Sequence, residues 1–262
     1  MRQLKLTVAY DGTEFVGWQR QASGVSIQGL LESALSQIDG AEVLVHGAGR
    51  TDAGVHALAQ VASARVVNAH DAATLRRALN AQLPQTVRVS SIEEMPPDFH
   101  ARFSATGKTY RYLVLQSDTA SPFLRQYVWH VPRTLDVAAM AAAAAAFRGS
   151  HDFSALQSTG SSVAHAIRTV TASHVTTWSP RTPSGQQLPI AVPDDASLVV
   201  YEVSANGFLR RMVRAMVGTL VEVGDKRRPP ESISGVLAGR LRAAAGITAP
   251  PAGLWLVSVN YC

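Results

Sequence analysis

The sequence predicts an α+β fold made of two halves, each running strand, helix, strand, strand, helix, strand. In the first hundred residues, short runs with alternating apolar positions flank two segments of helical spacing, and the same order returns more loosely after residue 110. Length agrees: a chain of 262 residues buries roughly 70–75% of its unfolded surface and needs no metal or disulfide staple to hold a core.

Residues 4–10 alternate as a half-buried strand should. After the cap candidate Ser26, the residues Ile27, Leu30, Leu31, Ala34, Leu35 and Ile38 recur at helical spacing, and Gly40 is a stop signal. Residues 41–46 and 57–67 read as strands, 72–83 as a helix closed ahead of Pro84, and 87–92 as a fourth strand. This is the split βαβ order of ferredoxin-like domains. In the second half, 110–116 reads as a strand, 135–147 as a helix, and 169–177 and 198–205 as strands. A helix over 208–223 carries an apolar stripe of Leu209, Met212, Val213, Met216, Val217 and Leu220. Lys226-Arg227-Arg228-Pro229-Pro230 breaks the chain, 231–242 adds a helix, and 254–260 closes the pattern. Residues 179–196, rich in Pro, Ser, Gly and Asp, read as a long exposed loop. The predicted domains are 1–105 and 106–262, joined near 96–105.

Composition narrows the chemistry. The single cysteine, Cys262, excludes internal disulfides and a cysteine-built zinc site, and it suits a reducing, cytoplasmic setting. The opening apolar run stops at Asp11, short of a signal-peptide core, and no apolar segment reaches spanning length, so no membrane partner is expected. Lys+Arg 24 against Asp+Glu 19 gives a formal +5, which favours a polyanion. All but three of those cations are arginines, whose planar forks suit phosphates and base faces, although a biased genome also produces that skew. Eight histidines are present without the spacing of a metalloenzyme, so no metal is expected. There is no phosphate-cradling or dinucleotide-binding motif, hence no cofactor.

The stretch that carries chemistry is Gly49-Arg50-Thr51-Asp52-Ala53-Gly54-Val55-His56-Ala57. One carboxylate lies in a glycine-bracketed turn with a cation two residues before it, the layout of an active-site loop. The competing reading is an Asx turn in which Asp52 bonds its own backbone. His56 is a candidate proton carrier or a packing residue. A second stretch, Lys108-Thr109-Tyr110-Arg111-Tyr112, puts Lys108, Tyr110 and Tyr112 on one strand face, which either grips an unpaired RNA base or is ordinary strand packing. Arg210 and Arg214 fall four apart on the flank of the predicted helix stripe. Arg214, edged against apolar residues, needs an anionic partner.

Five strings, spread over the chain, resemble the TruA family of tRNA pseudouridine synthases: YDGTEFVGWQRQ from Tyr10, GRTDAGVHA from Gly49, ARFSATGKTYRY from Ala101, NGFLRRMVRAMVG from Asn206 and PPAGLWLVSVNY from Pro250. The resemblance implies two ferredoxin-like halves joined in one extended, mainly antiparallel mixed sheet with helices on one side. It also implies an isomerase that converts uridine to pseudouridine at positions thirty-eight to forty of the tRNA anticodon stem-loop, as a homodimer and without a cofactor. By resemblance, Asp52 is the nucleophile, Tyr110 the base-stacking tyrosine and Arg214 the partner of the aspartate. Asp52 would attack ribose C1′ or take the C2′ proton to give a glycal; sequence leaves both routes open. Arg50 is a candidate to fill the space of an everted nucleotide or hold its phosphate. Many relatives carry histidines where this chain has Arg210 and Arg211. The alternatives are a noncatalytic tRNA-binding protein and, more distantly, a small-molecule hydrolase using Asp52.

Overall fold

A computed structural model describes residues 1–158, 165–178 and 197–262. Residues 179–196, read above as a loop, and 159–164 lie outside the described residues. The chain divides into two compact units, Met1–Lys108 with Trp255–Cys262, and Thr109–Leu254.

The first unit contains β1 (Arg2–Tyr10), α1 (Ile27–Asp39), β2 (Val45–Gly47), β3 (His56–Val66), α2 (Ala72–Gln82) and β4 (Val87–Met95). β1 pairs antiparallel with β3 (Leu6 opposite Ala62) and with β4 (Leu6 opposite Ile92), and β2 pairs with the other edge of β3 (Val45 opposite Ala64). This order, β4-β1-β3-β2, is that of a split βαβ domain. Leu4, Leu6 and Val8 on alternate positions of β1, with Ile27, Leu31 and Leu35 of α1 and Leu75 and Leu79 of α2, are almost fully buried. The two periodicities read from sequence thus meet in one core.

Local chemistry sets the ends of α1. The Ser26 hydroxyl accepts from the Gly29 amide at 3.2 Å, and Gly40 takes the left-handed conformation (φ 71°) while its amide returns to the Ser36 carbonyl. Glu32, on the same helix, is buried. Its Oε1 accepts from the Val45 amide (3.1 Å) and from Gln28 Nε2 (3.0 Å), and Arg20 Nη1 lies 3.3 Å from Oε2. A buried carboxylate is tolerated because it is paired, and here it ties β2 to α1.

The last strand, β10 (Leu254–Tyr261), begins at the boundary, and its residues from Trp255 group with the first unit. It runs parallel to the start of β3, with Trp255 opposite His56 and Leu256 opposite Ala57, and the Trp255 and His56 rings stack at 4.3 Å. The sequence pattern had placed this strand at the close of the second half; periodicity reports a strand but not its neighbour.

β5 (Ala105–Gln116) leads into the second unit, followed by β6 (Trp129–Val131), α3 (Val137–Ala145), β7 (Gly149–Asp152), β8 (Ile167–Trp178), β9 (Ser197–Ala205), α4 (Met212–Gly224) and α5 (Ser232–Gly239). β8 pairs antiparallel with β9 and with β7, and β6 runs parallel to β5. β6 and β7 were not anticipated, since three or four residues show no readable alternation. α4 starts four residues later than the stripe suggested, because Arg211 adopts a left-handed backbone (φ 61°) at its N-cap. Arg210 therefore lies outside the helix, exposed, and does not share a helix flank with Arg214. α3 starts with the Asp136 carboxylate accepting from the Ala139 amide, and the Asp136 amide donates to the Gly224 carbonyl at the end of α4. Among the described residues no helix is long and apolar enough to cross a membrane.

Replacing Ser26 with alanine removes the N-cap of α1 and lowers unfolding stability by about 1 kcal/mol, read as a shifted midpoint in urea denaturation at unchanged slope.

Candidate active site

Within the first unit, two sequence strings fold into one structure. The segment 10–28 leaves β1 and clasps the loop between β2 and β3 that carries Asp52. Trp18 donates its amide to the Thr51 carbonyl at 3.1 Å, Gly17 and Asp52 form an isolated antiparallel bridge, and the Tyr10 hydroxyl bonds Thr51 Oγ1 at 2.8 Å. From below, Gln60 Nε2 donates to the Gly49 carbonyl at 2.8 Å and the Ala48 amide to the Val61 carbonyl at 2.7 Å. Two glycines permit the approach. Gly17 has φ 108°, and a Cβ there would lie 2.6 Å from the Thr51 carbonyl oxygen; one on Gly12 would lie 2.0 Å from that of Val55.

Asp52 is half-buried at the head of this loop, and its carbonyl accepts from the Val55 amide at 3.2 Å, closing the turn. The carboxylate is thus neither sealed in a core nor on a mobile arm: its main chain is bonded on both sides while the residue keeps contact with solvent. Thr51, beside it, is buried against Tyr10, whose phenol burial pushes to a pKa of about 12. That hydroxyl stays protonated at neutral pH and acts as a fixed strut. Arg50 is exposed and, among the described residues, makes no ion pair or side-chain hydrogen bond. Its guanidinium does not pair with Asp52 two residues away.

His56 is fully buried. Its Nδ1 accepts from the Gly12 amide at 3.0 Å with Asp11 Oδ1 3.1 Å away, and its ring stacks on Trp255. Of the two readings made from sequence, packing is the one this environment supports. The imidazole holds the Asp11-Gly12 corner against the end of the Asp52 loop.

The other predicted residues lie in the second unit. Tyr110, on β5, is 7% exposed, and its ring meets Phe208 edge-on at 5.0 Å and 84°. Tyr112 is fully buried and donates to the Pro250 carbonyl at 2.8 Å; burial raises its pKa far above the usual tyrosine range, against the opposing field of Arg214. It belongs to the core and is not available to stack on a base, which corrects the reading of Tyr110 and Tyr112 as one open face. Arg111, pointing the other way, pairs with Glu202 Oε2 through Nε (3.0 Å) and Nη2 (2.7 Å). Arg214, half-buried on α4, is held from two sides by one residue: its Nε donates to the Ala249 carbonyl at 2.7 Å, and its own carbonyl accepts the Ala249 amide at 3.0 Å. This fixes the plane of the guanidinium.

Sequence reasoning passed over Tyr10, Thr51, Gln60 and the Gly12 and Gly17 contacts as parts of the Asp52 loop. The signal was present in the string from Tyr10 to Gln21, where two glycines and three aromatics in twelve residues point to a tightly packed, non-repetitive segment.

The chain is similar to known proteins along its whole length. A family model described as tRNA pseudouridine synthase matches residues 6–104 and 143–262. The tRNA pseudouridine synthase A of Solidesulfovibrio magneticus is 45% identical over 266 residues, covering 100% of this chain and 92% of that protein. That of Syntrophotalea carbinolica is 41% identical, covering 100% and 97%. The tRNA pseudouridine synthase A 2 of Clostridium perfringens is also 41% identical, covering 100% of both. Full-length similarity at this level, with the Asp52 loop built as above, means that the chain belongs to the tRNA pseudouridine synthase family, a family of isomerases.

Proposed function

We propose that the protein isomerises uridine to pseudouridine in tRNA, at positions thirty-eight to forty of the anticodon stem-loop, with Asp52 as the nucleophile. The observation that carries this reading is the Asp52 loop itself: a half-exposed carboxylate on a main chain held by the Gly17 bridge, in a chain similar over its whole length to tRNA pseudouridine synthases. The target positions and a homodimeric assembly are part of the proposal and come from the family resemblance; the cytoplasmic setting comes from the single cysteine, Cys262.

In the reaction the C1′–N1 bond breaks, the uracil turns, and C1′–C5 forms. The proton on C5 leaves and N1 gains one, so the change is redox-neutral. Asp52 acts on the sugar, by attack on C1′ or by taking the C2′ proton, and both routes use its unprotonated form. Arg214 is assigned to steady that carboxylate; support comes from the two contacts with Ala249, which fix its guanidinium. Tyr110 is assigned to the base, and its edge contact with Phe208 gives the ring one orientation. Everting a nucleotide from a stem costs roughly a few kcal/mol. Arg50, exposed in the loop that carries Asp52, is assigned to the vacated space or its phosphate. Stacking returns about 1–3 kcal/mol, and phosphate contacts supply the rest.

Asp52→Asn removes the nucleophile with little change in volume. Pseudouridine formation, mapped by carbodiimide modification of tRNA, is expected to fall by about 10⁴-fold or more, while tRNA still shifts in a native gel. Full activity in this variant would remove Asp52 as the nucleophile.

Tyr10→Phe removes the strut under Thr51 without touching Asp52. Misplacing a reacting group lowers turnover more than binding, so kcat is expected to fall about 10-fold with KM for tRNA nearly unchanged. Equal loss in both would show that the strut serves folding and not alignment.

A further inference from the structure

A tight turn in the first unit carries a chemistry that the Asp52 loop does not use. The Ser104 amide donates to the His100 carbonyl (2.9 Å), and Ser104 Oγ accepts from the His100 amide (3.1 Å). His100 Nδ1 accepts from the Arg102 amide at 3.1 Å, so the ring serves as a neutral acceptor; burial, His46 and Arg102 together hold its pKa below the usual histidine value. The turn is anchored from beneath by Ala101. This residue is fully buried in a cluster with Ala48, Val61 and Phe99, donates its amide to Ser63 Oγ (3.1 Å), and accepts the Tyr261 hydroxyl at its carbonyl (2.7 Å). Ala48 is the residue from which the Asp52 loop departs, so the turn and the loop share one rigid base.

The turn raises Phe103 into solvent, 75% exposed. A lone exposed aromatic needs no explanation, but this one is part of a tier. The His100 ring lies 4.4 Å from it, His46 stacks on His100 at 5.0 Å and 26°, and the Arg102 guanidinium sits 5.5 Å from the Phe103 centroid. Two cations border the tier without an acid to offset them. Neither Arg102 nor Lys108 forms an ion pair among the described residues, and the half-buried Lys108 ammonium is held below the usual lysine pKa by burial and then by Arg102. Desolvated like charges placed together are costly unless an anion joins them. An aromatic face beside unneutralised cations matches the way proteins hold unpaired nucleotides.

We propose that the Phe103 turn is an RNA-docking platform, on which a tRNA base outside the reacting nucleotide stacks against Phe103 while its phosphate is held by Arg102 and Lys108. The proposal rests on tRNA being the substrate. RNA fits better than a second copy of the chain, since that copy would bring a formal +5 and the same pair of cations. Because the platform and the Asp52 loop share the Ala48–Ala101 base, a base seated on Phe103 sets how the remainder of the tRNA meets Asp52.

The test is filter binding of a labelled tRNA transcript to the full chain over a range of salt concentrations, with sedimentation of each variant. Phe103→Leu keeps the apolar bulk and loses the π face, so Kd is expected to rise about 10-fold, and Phe103→Trp is expected to bind as the wild type does. Arg102→Gln is expected to flatten the dependence of log K on log salt by about 0.7–0.9, the loss of one phosphate contact. Wild-type affinity and slope in Phe103→Leu and Arg102→Gln overturn the platform and leave the function standing. So does equal weakening by leucine and tryptophan, which would assign the loss to shape, and so does altered sedimentation at unchanged affinity, which would assign the surface to protein contact. A wild-type chain that binds no tRNA overturns the function and the platform together.

Discussion

The short antiparallel contact between Gly17 and Asp52 is the constraint on which the order of the Asp52 loop depends. A loop that must show a carboxylate to solvent cannot also bury it, and so cannot be stabilised by packing that residue. The chain supplies the order from the backbone. Gly17, in a conformation that side chains resist, brings the Trp18 amide to the Thr51 carbonyl, and the Tyr10 phenol takes the Thr51 hydroxyl. Residues on either side of Asp52 are fixed, and Asp52 inherits their position. His56 repeats the device one turn later, with its ring nitrogen on the Gly12 amide and its face on Trp255.

The same economy appears in the second unit. Arg214 is placed by a neighbour that contributes only backbone: Ala249 accepts from its Nε and donates to its carbonyl. Tyr112 closes on Pro250 in the same segment, and a Cβ on Gly253 would strike the Tyr112 ring at 2.5 Å. The segment from Ala249 to Gly253 thus serves β5 and α4 at once. Charges follow two regimes. Glu32, beside Arg20, and Glu202, beside Arg111, are paired and structural, whereas Arg50, Arg102 and Lys108 form no ion pair among the described residues. Uncompensated cations on an ordered scaffold are where a polyanion gains most from binding.

Much of this was legible in the residues, and the limits have physical causes. The strands and helices of the first unit came through because each buries one face: α1 was bounded correctly at Ser26 and Gly40, and β1 alternates from Leu4 to Tyr10. Short elements failed. β6 and β7 hold three and four residues, and β2 was placed too early, since a period of two cannot be recognised in so few positions. The stripe through Leu209 extended α4 backwards because Leu209 is buried as a helical residue would be, yet Arg211 turns left-handed and ends the helix there. Tyr110 and Tyr112 looked alike by alternation, but Tyr112 closes on the Pro250 carbonyl while the Tyr110 ring meets Phe208 edge-on.

The sequence by itself determined the class of fold, the family, and the extent of the glycine-bracketed loop around Asp52, because these depend on local pattern: periodicity, caps, glycines and a run of nine residues. Only the tertiary structure decided which distant residues hold that loop, that His56 is a buried post, that β10 groups with β3, and that Phe103 stands beside His100 and the Arg102 guanidinium. Those are matters of contact across tens to hundreds of residues, such as Tyr10 with Thr51 or Ala101 with Tyr261. A hydrogen bond of that kind leaves no period in the chain, since its two ends need only be complementary and may lie at any separation that the fold can close.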